Sequence, residues 1–210
     1  MKCVIYGRGG AGRELWHLLS FQKDPALSFQ YEPVCFIDDF KNGDSVYNLP
    51  VMSLGEASRI YPSERLFCGV GECAPRELMI RRAWEMGFDC SANCVGSPLS
   101  PYTTIGHGMV IGTNNTITVD NKIGCYVLIF SQCSVAHDVE IGDYSTLTYG
   151  VNISGYVKVG KRVFFGTNSC VINGTPENPI VIGDDVIVGA GACVTKSIPS
   201  GRTVKGVPAR

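Results

Sequence analysis

The sequence has three histidines, and two of them, His107 and His137, lie outside apolar helical runs, where an imidazole could take part in catalysis. His137 is followed directly by Asp138, and a carboxylate within reach can hold an imidazole in one tautomer and raise its basicity. His107 has no acidic neighbour in sequence, and His17 lies in an apolar run typical of a helix. We therefore predict that His137 is a catalytic base oriented by Asp138. The alternative is a solvated surface histidine.

A second candidate site is the glycine-rich run GRGGAG at residues 7–12, which follows an apolar stretch and precedes a helical pattern. Glycines in that position let backbone N–H groups approach a phosphate at a helix N-terminus. Asp38 and Asp39 end the next apolar stretch, where a ribose or a base could be held. The surrounding region has about 95 residues, half a dinucleotide-binding fold, and therefore suits a mononucleotide better than NAD. A purely structural tight turn is the alternative.

Strand-like and helix-like segments alternate through the first part of the chain, a pattern typical of a parallel sheet with helical crossovers. We predict strands at 2–6, 33–37 and 66–70, with 88–91 as a candidate fourth strand. Helices are predicted at 13–21, after the capping-box pair Ser53 and Glu56, and from Pro75 to Gly87.

The second part of the chain has an apolar residue at every sixth position from Ile105 to Val171, often followed by glycine. Five extra residues within 173–181 interrupt the pattern, which resumes at Ile182. A period of six is the hexapeptide signature of a parallel β-helix. Three hexads make one coil, so residues eighteen apart stack. Gly155 then lies one coil beyond His137, where its N–H could stabilise an oxyanion.

Composition narrows the classes of partner. The formal net charge of -1 argues against nucleic-acid binding. No apolar run approaches the ~20 residues of a membrane span, and the absence of a signal-peptide pattern predicts a cytoplasmic protein. The ten cysteines lack CxxC spacing and are interpreted as reduced, packed thiols. His107 and His137 are thirty residues apart, which is not a multiple of eighteen, so no metal site is predicted.

Several segments of the second part resemble the hexapeptide acyltransferases. They are the hexad array, the Ala136-His137-Asp138 corner, the run GAGA at 189–192 and the run GVPA at 206–209. The resemblance implies a left-handed parallel β-helix, a homotrimer, and acyl-CoA bound between subunits. Spacing alone does not predict that hand, because ordinary parallel crossovers are right-handed.

The first part of the chain is similar to one branch of that superfamily, the NeuD/PglD-type sugar acetyltransferases. The shared marks are IYGRGG at 5–10, FIDD at 36–39, and VGE at 70–72 followed by Arg76. This resemblance covers nearly the whole chain. It implies a Rossmann-like nucleotide-sugar-binding domain at 1–95 and a left-handed β-helix acyltransferase domain at 96–210.

The same resemblance assigns roles to individual positions. It implies phosphate contacts at Gly9, Gly10 and Ala11, nucleoside contacts at Asp38 and Asp39, and a sugar or phosphate contact at Gly71. Acetyl-CoA contacts are implied at Thr146, Gly155, Thr167 and Ala190.

This chain also departs from the family pattern at three places. Some relatives have a second histidine where this chain has Thr146, and relatives often have glutamate where it has Asp138. Many relatives have a His-Pro pair before the repeat, where this chain has Asn93 and Cys94. These departures bear on the acceptor more than on acyl transfer.

The expected function is therefore acetyl transfer from acetyl-CoA, as co-substrate, to the amine of a nucleotide-linked 4-amino-4,6-dideoxy sugar. The expected nucleotide is UDP, the expected setting is glycan biosynthesis, and no metal is required. One alternative is an O-acetyltransferase acting on sialic acid or another sugar hydroxyl. Another is a non-catalytic nucleotide-binding trimer that serves as a scaffold. An NAD-dependent oxidoreductase is a fourth hypothesis.

Overall fold

The structure is a computed structural model that describes residues 1–21, 31–40 and 43–210. The chain divides into two compact units, Met1–Cys94 and Val95–Arg210. Across the described ranges, no helix is both long and apolar enough to cross a bilayer. The elements of the first unit are β1 (Lys2–Tyr6), α1 (Gly10–Phe21), β2 (Glu32–Ile37), β3 (Ser45–Val46), β4 (Leu49–Met52), α2 (Leu54–Ile60), β5 (Arg65–Cys68) and α3 (Cys73–Glu85).

The first unit is built on a five-stranded sheet in the order β3-β4-β2-β1-β5. Strand β1 pairs in parallel with both β2 and β5, and β4 pairs in parallel with β2. The apolar residues of β1 are buried, as expected for a strand covered on both faces. The carboxyl ends of β1, β2 and β5 therefore meet at one edge of the sheet, where the glycine-rich run, the Asp38-Asp39 pair and Gly71 follow.

Two features of this unit differ from the prediction. Strands β3 and β4 form an antiparallel hairpin through Tyr47 and Asn48, whose φ angles are +52° and +61°. Positive φ at both central residues is typical of a tight hairpin turn, but the strands are too short to show a periodic pattern. The candidate strand at 88–91 is wrong, because only Asp89 makes a bridge there, with Arg65.

The second unit is a parallel β-helix with three sheets. The first sheet holds β7 (Thr104–Ile105), β10 (Lys122–Ile123), β13 (Glu140–Ile141), β16 (Val157–Val159) and β19 (Ile180–Ile182). The second holds β6 (Cys94–Val95), β8 (Val110–Ile111), β11 (Leu128–Ile129), β14 (Thr146–Leu147), β17 (Phe164–Phe165), β20 (Ile187–Val188) and β22 (Thr203–Val204). The third holds β9 (Thr116–Ile117), β12 (Ser134–Val135), β15 (Asn152–Ile153), β18 (Cys170–Val171) and β21 (Cys193–Val194).

The hexad residues form the core of this unit, as the six-residue period predicted. Ile129, Val135, Leu147 and Phe165 are at most 2% exposed and belong to one continuous apolar cluster. Paired residues are eighteen apart until β16, where Val159 pairs with Ile182 because five extra residues precede β19. Ladder pairing also begins before the first hexad, since Leu99 bridges to Ile117.

Each coil turns three corners, which we name after the sheet that precedes them. The residue two places after each inward hexad residue marks its corner. The first corner carries His107, Cys125, Asp143 and Lys161. The second corner carries Ser131, Tyr149, Thr167 and Ala190. The third corner carries Val119, His137, Gly155 and Asn173.

Candidate active site

The third corner joins His137 to Asp138. The imidazole Nδ1 lies 2.9 Å from Asp138 Oδ2, and both side chains are about half exposed, at 50% and 44%. A carboxylate can only accept a hydrogen bond, so Nδ1 carries a proton, and in the neutral imidazole Nε2 then has a free lone pair. Asp138 has φ +57°, a left-handed conformation that aspartate tolerates better than most residues. The corner backbone thus positions a histidine whose Nε2 can accept a proton.

Gly155 lies directly against the His137 ring. A Cβ placed on Gly155 would lie 2.7 Å from Cε1 and 2.9 Å from Nε2 of that imidazole. Any side chain at this position would therefore displace the ring. The stacking predicted from an eighteen-residue spacing is confirmed, since β12 and β15 pair with Val135 opposite Ile153.

The N–H of Gly155 makes no hydrogen bond to any residue that the structure describes. At the first corner, by contrast, a side chain one coil further along accepts the equivalent hydrogen bond. Asp143 Oδ1 accepts from Cys125 N at 2.9 Å, and Asp184 Oδ1 accepts from Lys161 N at 2.8 Å. Asn173 holds that place relative to Gly155, but its amide donates to the carbonyl of Gly174 instead. A backbone donor beside an imidazole is therefore left open for a ligand.

Tyr156 is part of this corner and was missed by the sequence analysis. Its ring meets the His137 ring edge to face, with centroids 5.1 Å apart at 84°. The eighteen-residue stacking rule could have placed it there, because Tyr156 lies eighteen residues beyond Asp138. Tyr156 therefore packs against the imidazole in the edge-to-face geometry that aromatic rings favour.

The four positions with implied acetyl-CoA contacts do not come together within one chain. Gly155 lies at the third corner, whereas Thr167 and Ala190 are exposed neighbours at the second corner. Thr146 lies on the second sheet and has no exposed surface. Its side chain contacts protein rather than solvent in the single chain.

In the first unit, the glycines in and beside the 7–12 run fall into two groups: some pack closely against other backbone, and others are exposed. A Cβ on Gly12 would overlap the carbonyl oxygen of Gly7, and a Cβ on Gly69 would overlap Gly12. Those glycines permit close packing of the turn. Gly9 and Gly10 are exposed, and a Cβ on either would meet nothing within 4 Å.

Helix α1 begins at Gly10 and is closed by a hydrogen bond from Arg13 N to Gly9 O at 3.0 Å. The first N–H groups of a helix have no intrahelical partner, and glycine at position 9 supplies no side-chain cap. This end of the helix can therefore accept an anion such as phosphate.

Asp38 and Asp39 face different surroundings. Asp39 accepts from the Tyr6 hydroxyl at 2.6 Å and from Leu54 N at 2.8 Å, and it pairs with Arg82 at 3.3 Å. Burial and the hydrogen bond to this carboxylate raise the pKa of Tyr6. Both oxygens of Asp39 are therefore used to hold the fold together.

Asp38 instead lies beside the glycine-rich run. Its Oδ2 pairs with Arg8 Nε at 3.1 Å, and its Oδ1 accepts from Phe40 N at 2.9 Å. Arg8 also pairs with Asp44 at 3.1 Å. Arg8 therefore lies in the loop that leads into α1, with its guanidinium paired to two carboxylates.

Gly71 follows β5 in a loop that a buried arginine holds in place. Arg76 is 2% exposed, and its Nη1 donates to the carbonyls of Val70 at 2.7 Å and Gly71 at 3.0 Å. Burial lowers the pKa of this guanidinium. The Val-Gly-Glu motif followed by arginine is thus a structural clamp that leaves the Gly71 Cα side open.

His107 occupies a different corner from His137. Its Nδ1 lies 3.3 Å from Cys125 Sγ, and its ring meets Tyr126 edge to face. No group of three or more histidine, cysteine, aspartate or glutamate side chains in the described part of the chain is arranged to hold a metal ion. His17 lies on α1 against Phe21, with ring centroids 5.2 Å apart.

The chain matches known proteins along its whole length. The family model for the hexapeptide repeat of succinyl-transferase matches residues 156–196. The GDP-perosamine N-acetyltransferase of Escherichia coli O157:H7 is 31% identical over 98% of this chain and 94% of its own length. Among solved structures, WeeI from Acinetobacter baumannii AYE has a TM-score of 0.88 and 31% identity, covering 100% of this chain and 99% of its own.

Two further structures extend this similarity to ligand complexes. A mutant perosamine N-acetyltransferase from Caulobacter crescentus, solved with CoA and GDP-perosamine, has a TM-score of 0.86 and 28% identity and covers 100% of this chain and 96% of its own. The acetyltransferase domain of PglB from Neisseria gonorrhoeae FA1090, solved with acetyl coenzyme A, has a TM-score of 0.84 and 26% identity and covers 100% of this chain and 98% of its own. The chain belongs to the hexapeptide-repeat family of acyl-CoA-dependent sugar N-acetyltransferases.

Proposed function

We propose that the chain transfers the acetyl group of acetyl-CoA to the 4-amino group of a nucleotide-linked 4-amino-4,6-dideoxy sugar, with His137 as general base. One observation carries this proposal. The His137–Asp138 pair lies against Gly155, whose N–H is unpaired among the described residues. A base with a fixed tautomer beside an open backbone donor is the arrangement that acyl transfer to an amine requires.

Each step uses a group at the third corner. The sugar amine attacks the thioester carbonyl carbon, and His137 Nε2 takes a proton from the nitrogen as the C–N bond forms. The Gly155 N–H donates a hydrogen bond to the oxyanion of the tetrahedral intermediate. The C–S bond then breaks, the coenzyme A thiolate leaves, and the imidazolium returns the proton to the sulfur. Asp138 holds Nδ1 throughout and stabilises the imidazolium.

The first unit is proposed as a Rossmann-like domain that binds the nucleotide part of the substrate. Gly9, Gly10 and Ala11 would receive the phosphates at the start of α1, and Gly71 would contact the sugar or its phosphate. Asp38 is the better candidate for the nucleoside contact, because it pairs with Arg8 of the glycine-rich run, whereas Asp39 is held by Tyr6, Leu54 and Arg82.

The nucleotide itself is proposed from the relatives. UDP is the nucleotide expected from the sequence, whereas the Escherichia coli relative is named for GDP-perosamine and the Caulobacter crescentus structure was solved with it. These relatives favour a guanosine diphosphate sugar. We therefore propose GDP as the nucleotide and retain UDP as the comparison.

For the coenzyme, we propose contacts at Gly155, Thr167 and Ala190, and we assign Thr146 to the packing of the second sheet because it is fully buried. The second and third corners lie at opposite edges of the third sheet. A coenzyme that uses both would be completed most simply by a neighbouring copy. The proposal accordingly includes a left-handed coil and a homotrimer, as the family resemblance implies.

The test is coenzyme A release, measured with a thiol reagent. Wild type and His137→Ala would each receive acetyl-CoA with GDP-perosamine or with a UDP-linked 4-amino-4,6-dideoxy sugar. We expect release by wild type with the GDP sugar and a rate about 10²–10⁴ lower for His137→Ala. Equal rates for the two proteins would overturn the role of His137. Release only with the UDP sugar would overturn the nucleotide assignment, and no release with either sugar would overturn the acceptor.

A further inference from the structure

Two cysteines lie side by side on the third sheet of the β-helix. Cys170 in β18 is the direct register partner of Cys193 in β21. The residues that follow them, Val171 and Val194, are 1% exposed and point into the core. Because side chains alternate along a strand, both thiols point outward. Both cysteines are free and partly exposed.

The separation of the two thiols is set by the sheet. Adjacent strands lie about 4.7–4.9 Å apart. This separation falls within the Cα range, about 4.4–6.8 Å, over which two cysteine sulfurs can reach each other. The Cys193 thiol lies close enough to raise the pKa of Cys170. No backbone movement is therefore needed for both sulfurs to bind one atom.

The remaining thiols of the described chain lack this arrangement. Seven are buried. Cys125 is partly exposed like the pair, but its polar neighbour is the His107 imidazole rather than a second thiol. Cys125 is thus a built-in single-thiol control on the same unit.

The chemistry of the pair favours a ligand that reacts with protonated thiols. Burial raises the pKa of Cys170, and the neighbouring Cys193 thiol raises it further. Simple alkylation needs a thiolate and is slowed at such a site. A trivalent arsenical, by contrast, condenses with two thiols and releases water.

We propose that Cys170 and Cys193 form a dithiol site that binds one soft, thiophilic centre through both sulfurs, with trivalent arsenicals as the ligand class. In the reaction, R–As=O and two thiols give R–As(SCys)₂ and one water. Two S–H bonds and the As=O bond break, two As–S bonds form, and arsenic stays trivalent. No oxidant or reductant is consumed.

The second sulfur should make binding far tighter than at a single thiol. Once one As–S bond has formed, the second thiol acts at a high effective concentration. Linked contacts of this kind strengthen binding by about 10²–10⁴. Either single substitution, Cys170→Ser or Cys193→Ser, should therefore remove the tight site.

The experiment is titration of the folded protein with phenylarsine oxide, read by intact mass. We expect one adduct per chain in wild type and in Cys125→Ser, stable to a monothiol and removed by 2,3-dimercaptopropanol. Cys170→Ser and Cys193→Ser should each lose it, with the melting temperature confirming that each variant is folded. The proposal is overturned if folded wild type forms no adduct, if Cys193→Ser or Cys170→Ser retains it, or if Cys125→Ser loses it. Should one serine variant fail to fold, the other decides the outcome.

Discussion

The imidazole of His137 fills the space that any side chain at Gly155 would need. The nearest ring atom lies 2.7 Å from the position of a Cβ on that glycine. Position 155 therefore needs glycine because the His137 ring, one coil earlier, occupies the space of a Cβ. The backbone does not require glycine there, since the φ of Gly155 is not in the left-handed region. The absence of a side chain at Gly155 therefore leaves room for the His137 ring in its observed position.

Gly155→Ala should therefore impair catalysis by moving the His137 ring. A displacement near 1 Å of a catalytic group can cost about 10²-fold in rate. We expect kcat to fall by that order while acetyl-CoA still binds. Thermal unfolding supplies the control, because the double variant Gly155→Ala/His137→Ala removes the clash and should be more stable than Gly155→Ala alone. A single variant with normal kcat would show that the ring contact does not position the base.

The two corner histidines offer a matched pair. His137→Ala should lower kcat by about 10²–10⁴, the usual contribution of a general base. His107→Ala removes the same side chain from the first corner, two places after an inward residue, and should leave kcat unchanged. Steady-state rates for both variants test the assignment. An equal loss in both would point to a general requirement for corner histidines rather than to catalysis.

Asp138→Asn tests the orienting role of the carboxylate. Asparagine tolerates the φ of +57° at this position, so the backbone should be retained. An amide can donate to Nδ1 as well as accept from it, which allows the tautomer that blocks Nε2. We expect a lower kcat, with a loss smaller than that of His137→Ala.

The matched control is Asp120→Asn. Asp120 stands one coil earlier at the same corner with φ +60°, but Val119 precedes it instead of a histidine. Asp120→Asn should have normal kcat. If the two asparagine variants behave alike, the carboxylate of Asp138 has no special part in the reaction.

The β-helix could be predicted from sequence because every coil repeats one environment. An inward aliphatic residue such as Ile129 or Leu147 is needed at each flat face, so the period is visible without any structure. The stacking of Gly155 on His137 followed from the same arithmetic. The early pairing of Leu99 did not, because no hexad precedes it.

The first unit shows where sequence reasoning stops. Asp38 and Asp39 are equivalent in the motif, yet successive residues leaving a strand point in opposite directions. Only the fold reveals that Asp39 takes Tyr6 and Leu54 as partners while Asp38 takes Arg8. The Tyr47 hairpin was likewise invisible, because strands of two to four residues carry no usable period.

Gly10→Asp should separate helix stability from phosphate binding. A Cβ at Gly10 has open space, and a carboxylate at a helix N-terminus stabilises it by about 0.3–1 kcal/mol. The same charge would repel a diphosphate, since two like charges about 4 Å apart near a protein surface interact by about 4 kcal/mol. We expect a slightly higher melting temperature and a KM for the nucleotide sugar at least about tenfold higher. The KM for acetyl-CoA is the internal control and should not change. An unaltered KM for the sugar would place the phosphates elsewhere.

Buried thiols should make the protein sensitive to alkali. Cys35 is 0% exposed, and burial raises the pKa of its thiol from 9.0 to about 12. A raised folded-state pKa stabilises the fold fully below the unfolded value, and this contribution is lost as the pH rises toward 12. Wild type should therefore lose stability relative to Cys35→Ala between about pH 9 and 12, by at most about 1.4 kcal/mol per pH unit. Urea unfolding of both proteins from pH 8 to 11 measures the difference in their free energies of unfolding. The titration of lysines and tyrosines cancels in this difference because both proteins contain them. A difference independent of pH would mean that the Cys35 thiol ionises as readily in the folded protein as in the unfolded chain.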